Sequence, residues 1–289
     1  MNDNFFHYKT RFLSIILIIG YAYLHVKLTG IWDSLSLEQF IEFKIHLPFA
    51  QRVLIPALAH GLNIFLPMSA EEIFFCLELI FVSLLFISLK SLLQVEFSLK
   101  TATVLSWIFL LLLPLVTVLN YRYTVNQQAT FFYPYDTPSL FFTTIGFLLC
   151  LKAKWRYFLP LLFIATLNRE TTLLLVFLIP ALHHQPLKNI LVPLAGAIGL
   201  YITARLVTLY LVYDKPGAIY QIYSSISPVT RFAINIEWLL YEQHMLMLMF
   251  CFAGLPLLWF TFYDYIPSQY QPIRYIALFY FLILLVVGN

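Results

Sequence analysis

The chain has 289 residues, 61% hydrophobic, 18% aromatic and 11% charged, with a formal net charge of +3. Soluble domains carry about 25% charged residues, and a water-soluble fold could not hide this much apolar surface, so the composition implies an all-α, polytopic membrane protein. No basic run marks a nucleic-acid partner, and no P-loop, GxGxxG, HExxH or CxxC gives a nucleotide or zinc site any support.

The N-terminus, "MNDNFFHYKTRFLSIILIIGYAYLHVK", places Lys9 and Arg11 ahead of an apolar run. Without a small-x-small cleavage site, it reads as a retained first span at 12–31 rather than a signal peptide. Asp33 follows at once, beside Trp32, a residue type that anchors at membrane interfaces. In "LEQFIEFKIHL", Leu37, Phe40, Ile41 and Ile45 share one helical face, and Glu38, Glu42 and His46 share another. "RVLIPALAHGLNIFLP" then sets Arg52, His60 and Asn63 against apolar neighbours. Both stretches predict helices lying along the membrane surface, ended by Pro48 and Pro67.

Further spans are expected near 73–93, with Glu78 inside it, near 101–119, and at 137–151. The stretch "FFYPYDTPSL" before the last of these carries Tyr133, Tyr135 and Asp136. Thr137 is the expected N-cap there and Pro138 the first helical residue, with Asp136 near the positive helix end. Arg122 and "NQQ" at 126–128 read as a solvated loop.

The run 157–182 is interrupted by "NRE" at 168–170. One straight helix would bury Arg169 and Glu170 near mid-membrane, each at about 2.5–3.5 kcal/mol, and sequence neighbours do not face each other on a helix. Two readings stay open: a hairpin with Asn168 capping the second leg, or one kinked span. Spans at 190–212, carrying Arg205, at 243–263 and at 275–288 complete seven to nine membrane helices in one integral domain, 1–289. His183 and His184 have no further ligand at metal spacing, and Cys76, Cys150 and Cys251 read as small hydrophobes within apolar segments.

Short-loop cations orient the chain. Lys9 with Arg11, then Lys90 with Lys100, then "KAKWR" at 152–156 alternate consistently as inside segments, so the N-terminus is cytoplasmic and 32–72 and 120–136 lie outside. In a bacterium the location would be the plasma (inner) membrane. Charges this scarce are expected to meet around one outward cavity, with Arg169 and Arg205 suited to a phosphate through paired N–H donors.

A first span followed by an acid, a loop with two interfacial helices carrying Arg52 and "LIPAL", an acid in "YPYDTPSLFF" before the fourth span, and "TLNRETTLL" at the next turn resemble the layout of GT-C-type membrane glycosyltransferases over roughly residues 1–212. The resemblance implies transfer of a sugar from a polyprenyl-phosphate donor to an acceptor outside the membrane. It implies Asp33 as the general base and Asp136 as a second acid. Arg52, Arg169, Glu170, Arg205, Tyr133 and Tyr135 would contact substrate, and a divalent cation on Asp33 or Asp136 is a candidate cofactor. The chain departs from the family pattern in having no DxD or ExD beside either acid. A transporter or lipid flippase, or a non-catalytic membrane subunit, is the alternative reading.

Overall fold

Long apolar runs become long helices here. The computed structural model describes residues 3–30, 35–118, 131–183, 186–217, 228–241, 258–259 and 261–287. Among them the secondary structure is helical, apart from one isolated backbone bridge between Gly30 and Phe131. The helices in order are α1 (Asp3–Leu28), α2 (Leu37–Ile41), α3 (Leu54–Phe65), α4 (Ala70–Leu93), α5 (Leu99–Thr117) and α6 (Asp136–Leu151). They continue with α7 (Trp155–Asn168), α8 (Leu173–Leu182), α9 (Leu187–Leu211), α10 (Pro228–Leu240) and α11 (Ile273–Val287).

Local chemistry sets several ends. Ser69 accepts from the Glu72 amide at 3.3 Å while the Glu72 carboxylate accepts from the Ser69 amide at 2.8 Å, a reciprocal cap that opens α4. Ser98 accepts from the Thr101 amide at 3.3 Å and opens α5. The helix expected over the first loop is shorter than its apolar pattern suggests. It stops at Ile41 because Phe43 sits at φ 54°, a left-handed conformation that no right-handed helix continues through. Its apolar face is nonetheless inside: Leu37, Phe40, Ile41 and Ile45 are all buried, while Glu38 and Glu42 are exposed.

Among the described residues, four helices are long and apolar enough to cross a membrane: Tyr8–Leu28 within α1, all of α4, all of α5, and Lys188–Leu211 within α9. Their outward faces carry exposed Phe12, Ile15 and Ile19 on α1, Ile87 on α4, and Val192 and Leu206 on α9. Apolar faces of this length and number call for lipid, and the protein is read as a membrane protein on that ground. Leu54–Phe65, Asp136–Leu151 and Glu170–Leu182 are shorter apolar helices. The span expected at 243–263 falls mostly on residues outside those described.

The chain divides into two compact units, Met1–Ile41 with Leu58–Ile145, and Glu42–Ala57 with Gly146–Asn289. In the first, α1, α4 and α5 pack on one another and α2 packs on α4. In the second, α7 and α8 both pack on α9, and α11 packs on α8 and α10. Gly146 allows a close approach there, since a Cβ at that position would meet Leu175 Cδ1 at 2.7 Å.

The run 157–182 is a hairpin. The Trp155 ring at the start of α7 lies 5.2 Å, centroid to centroid, from the His183 ring just past the end of α8, so the chain returns to the level at which it set out. His183 Nε2 also lies 2.8 Å from the Cys150 carbonyl oxygen. Legs of 14 and 10 residues reach about 21 and 15 Å as helix. Neither matches the ~30 Å of a hydrocarbon core.

Candidate functional site

The hairpin tip is where the second unit collects its charge. Asn168 closes α7 and is fully buried, and Arg169 follows in extended backbone at φ −159°, ψ 138°. Arg169 breaks the helix, and a short 3₁₀ turn, Glu170–Thr172, restarts it into α8. The expected Asn168 cap is not used: the cap position falls on Arg169, with no side-chain cap bond. The turn is held instead by Thr172, whose hydroxyl donates to the Arg169 carbonyl at 2.9 Å and lies 3.0 Å from the buried Thr166 hydroxyl.

Three guanidiniums lie within electrostatic range of Glu170. Arg52 Nη2, from the segment before α3, lies 3.6 Å from Glu170 Oε1, and both Arg169 and Arg205 act on the same carboxylate electrostatically. Arg52 is 13% exposed and Glu170 37%, so the cluster is reachable on its acidic side and enclosed around the cation. Arg205 projects from α9, one turn after Tyr201, whose hydroxyl donates to the Glu170 carbonyl at 3.1 Å. Arg205 Nη2 donates to Gln51 Oε1 at 2.5 Å, and Gln51 is itself buried. Arg205 Nη1 is buried with no hydrogen-bond partner among the described residues. Arg52, Arg169 and Arg205 thus bear electrostatically on one carboxylate at a polar turn flanked by apolar helices, and guanidiniums gathered in this way suit an anionic ligand.

The sequence placed Arg52, Arg169, Glu170 and Arg205 as substrate contacts, and the structure brings these four together. Gln51 escaped the sequence reading, although a polar side chain beside Arg52 in "FAQRVLIP" was a signal. The segment carrying both is pinned at its far end. The Leu47 amide donates to the Pro216 carbonyl at 2.8 Å, and Gly217, at φ +105°, comes so close that a Cβ would meet the Leu47 carbonyl oxygen at 2.7 Å.

The predicted acids belong to the first unit. Asp33 lies outside the described residues, as do Arg122, "NQQ" at 126–128, His184 and Cys251. Asp136 opens α6, half-buried, its amide donating to the Tyr133 carbonyl at 3.1 Å. Tyr135 is fully buried; its ring stacks on the half-buried Tyr133 at 5.5 Å and tilts against Phe40 at 6.4 Å. The segment is anchored by the Phe132 amide, which donates to the Gly30 carbonyl at 2.8 Å. That bond ties the chain four residues before Asp136 to the chain three residues before Asp33.

Thr137 does not cap α6 as expected. Its hydroxyl donates to Glu78 Oε1 at 2.6 Å, and His25 Nδ1 lies 2.8 Å from the same oxygen. His25 and Glu78 are each 2% exposed, so a lone acid in a span finds its partners on two other helices. The His25 ring stacks on Tyr21 at 5.5 Å and meets Phe132 edge-on at 5.1 Å, while the Tyr21 hydroxyl donates to Thr117 at 3.3 Å. Asp136 is within electrostatic reach of both Tyr21 and His25. This buried polar network links α1, α4, α5 and α6, and His25 was not legible as its centre. Among the described residues, no three His, Cys, Asp or Glu side chains are placed to hold a metal ion.

In comparisons with family models, curated proteins and solved structures, nothing matches this chain.

Proposed function

We propose that the protein is a GT-C-like membrane glycosyltransferase with seven to nine membrane helices, its N-terminus cytoplasmic, transferring a sugar from a polyprenyl-phosphate donor to an acceptor hydroxyl on the outer side. The observation that carries the reading is the cluster of Arg52, Arg169 and Arg205 around Glu170 at the tip of a short helical hairpin. A lipid-linked phosphate is the anion such a cluster suits, because the ligand's own tail keeps it among apolar helices. Guanidiniums also offer phosphate oxygens two parallel donors.

In the proposed reaction Asp33 accepts the proton of the acceptor hydroxyl as its oxygen attacks C1 of the sugar. The C1–O bond to phosphate breaks, and the electron pair leaves on the polyprenyl phosphate. The arginines stabilise that growing charge, and preorganised cationic or hydrogen-bond donors of this kind are worth about 10²–10³ in rate each. Asp136, at the N-terminus of α6 and near the His25–Glu78 network, serves as the second acid. Asp33 and Asp136 are also the candidate ligands for a divalent cation, should one take part.

The test is turnover by purified protein in detergent against a panel of polyprenyl-phosphate sugars. The reading expects at least one donor to be consumed, with Asp33→Asn and Asp136→Asn each slowed by about 10²-fold or more. Equal turnover by all three proteins, or none by any with every donor, removes the proposal.

A further inference from the structure

A second feature of the Glu42–Ala57, Gly146–Asn289 unit is independent of the transfer reaction. Between α8 and α11 runs an open groove of about 400 Å³. Phe177, Pro180 and Ala181 form one wall, and Ile276 and Phe279 form most of the other, with the Phe177 and Phe279 rings 5.7 Å apart. The lining is almost wholly apolar, and Phe177 and Phe279 remain exposed. A volume in the range of roughly 300–1,000 Å³ is that of ligand sites generally.

One polar side chain is among the lining residues. Tyr275 lines the groove and accepts a hydrogen bond from Arg274 Nη2 at 2.6 Å. The Arg274 guanidinium carbon lies 4.0 Å from the Tyr263 ring centroid and 4.6 Å from that of Tyr275, so two aromatic faces hold the cation in place. Tyr263 is fixed in turn, its hydroxyl donating to Gln271 at 2.9 Å. No carboxylate pairs with Arg274 among the described residues, and its Nε is buried without a hydrogen-bond partner. The immobilised charge thus has aromatic support and, among the described residues, no carboxylate partner.

The unit is basic around the start of α11. Tyr270, Ile273 and Ile276, around the start of α11, join the core cluster that includes Trp155, Phe158, Leu182 and Ile190. Lys152, Lys154 and Arg156 flank Trp155, and Lys188 opens α9 beside Ile190; all four are exposed. An apolar trough whose lining Tyr275 holds a fixed guanidinium, without a carboxylate partner among the described residues, has the polarity of a phospholipid, with tail along the trough and phosphate at the cation.

We propose that the α8–α11 groove binds one anionic phospholipid of the surrounding bilayer, an acyl chain lying on Phe177, Ile276 and Phe279 and the headgroup phosphate resting on Arg274.

The experiment is native mass spectrometry of the full chain, equilibrated in detergent with equal amounts of phosphatidylglycerol and phosphatidylcholine of identical acyl chains. Wild type is expected to retain phosphatidylglycerol over phosphatidylcholine by about fivefold or more, the effect of one fixed cation near a headgroup. Arg274→Gln should bring that ratio close to one. Ala181→Trp, which fills the trough and leaves the cation, should lower retention of both lipids. Equal retention by wild type overturns the proposal without reference to any variant. An undiminished ratio in Arg274→Gln, or undiminished lipid in Ala181→Trp, overturns the assignment of headgroup or tail.

Discussion

Glu78 is the carboxylate inside the apolar body of α4, beyond Glu71 and Glu72 in its first turn, and its partners decide whether the helix tolerates it. Both the His25 ring nitrogen and the Thr137 hydroxyl meet its Oε1, from α1 and α6, in a site only 2% exposed at the acid. Replacing Glu78 by Ala leaves two buried polar groups without their partner, at about 1–3 kcal/mol each. Thermal unfolding in detergent should therefore fall well below wild type for Glu78→Ala and lie nearer to it for Glu78→Gln, which keeps an oxygen in place. Equal midpoints for wild type and Glu78→Ala would mean the network contributes nothing to stability. At Gly217 the backbone itself is the constraint. With φ at +105° and the Leu47 carbonyl 2.7 Å from where a Cβ would stand, Gly217→Ala should cost about 1–3 kcal/mol and loosen the segment that carries Gln51 and Arg52. An unchanged unfolding midpoint for that variant would show that the contact yields freely.

At the scale of elements, the break between α7 and α8 was legible, and the reason is energetic. Arg169 and Glu170 in the middle of an apolar run cannot sit on a straight buried helix at acceptable cost, so the sequence itself signals a break there. What remained open was whether the chain continues onward or turns back, because that depends on Trp155 meeting His183, a contact between residues 28 positions apart. The same limit hid the His25–Glu78 pair, whose members are 53 residues apart and carry no local pattern. Thr137 was misread for a related reason: its hydroxyl could cap a helix or meet a buried acid, and only the fold brings Glu78 within 2.6 Å. Helix α2 was overextended because apolar periodicity says which face is buried and nothing of the left-handed turn at Phe43. The hairpin makes a topological prediction. Single cysteines at positions 154 and 188, which bracket it, should be labelled by a membrane-impermeant maleimide from the same side in sealed, oriented vesicles. Labelling from opposite sides would mean that the segment between them crosses the bilayer.

For the whole molecule, composition and apolar helix length carried the membrane assignment, and the four helices long enough to cross follow the runs expected for them. The candidate site is legible to a lesser degree. The four charged residues singled out as substrate contacts in "QRVLIP", "LNRETT" and "TARLV" do converge, the first segment more than a hundred residues from the other two, and Gln51 joins them. The central claim is that this convergence exists to hold a lipid-linked phosphate. Its most direct measurement is equilibrium binding of a short-chain polyprenyl monophosphate to the purified protein, compared with the same chain as a neutral alcohol. The account predicts that the phosphate binds more tightly than the alcohol and that Arg52→Gln and Arg205→Gln each weaken it by about tenfold or more, the worth of one charge-assisted hydrogen bond. Equal affinity for phosphate and alcohol, or binding of the phosphate unaffected by either substitution, would contradict it.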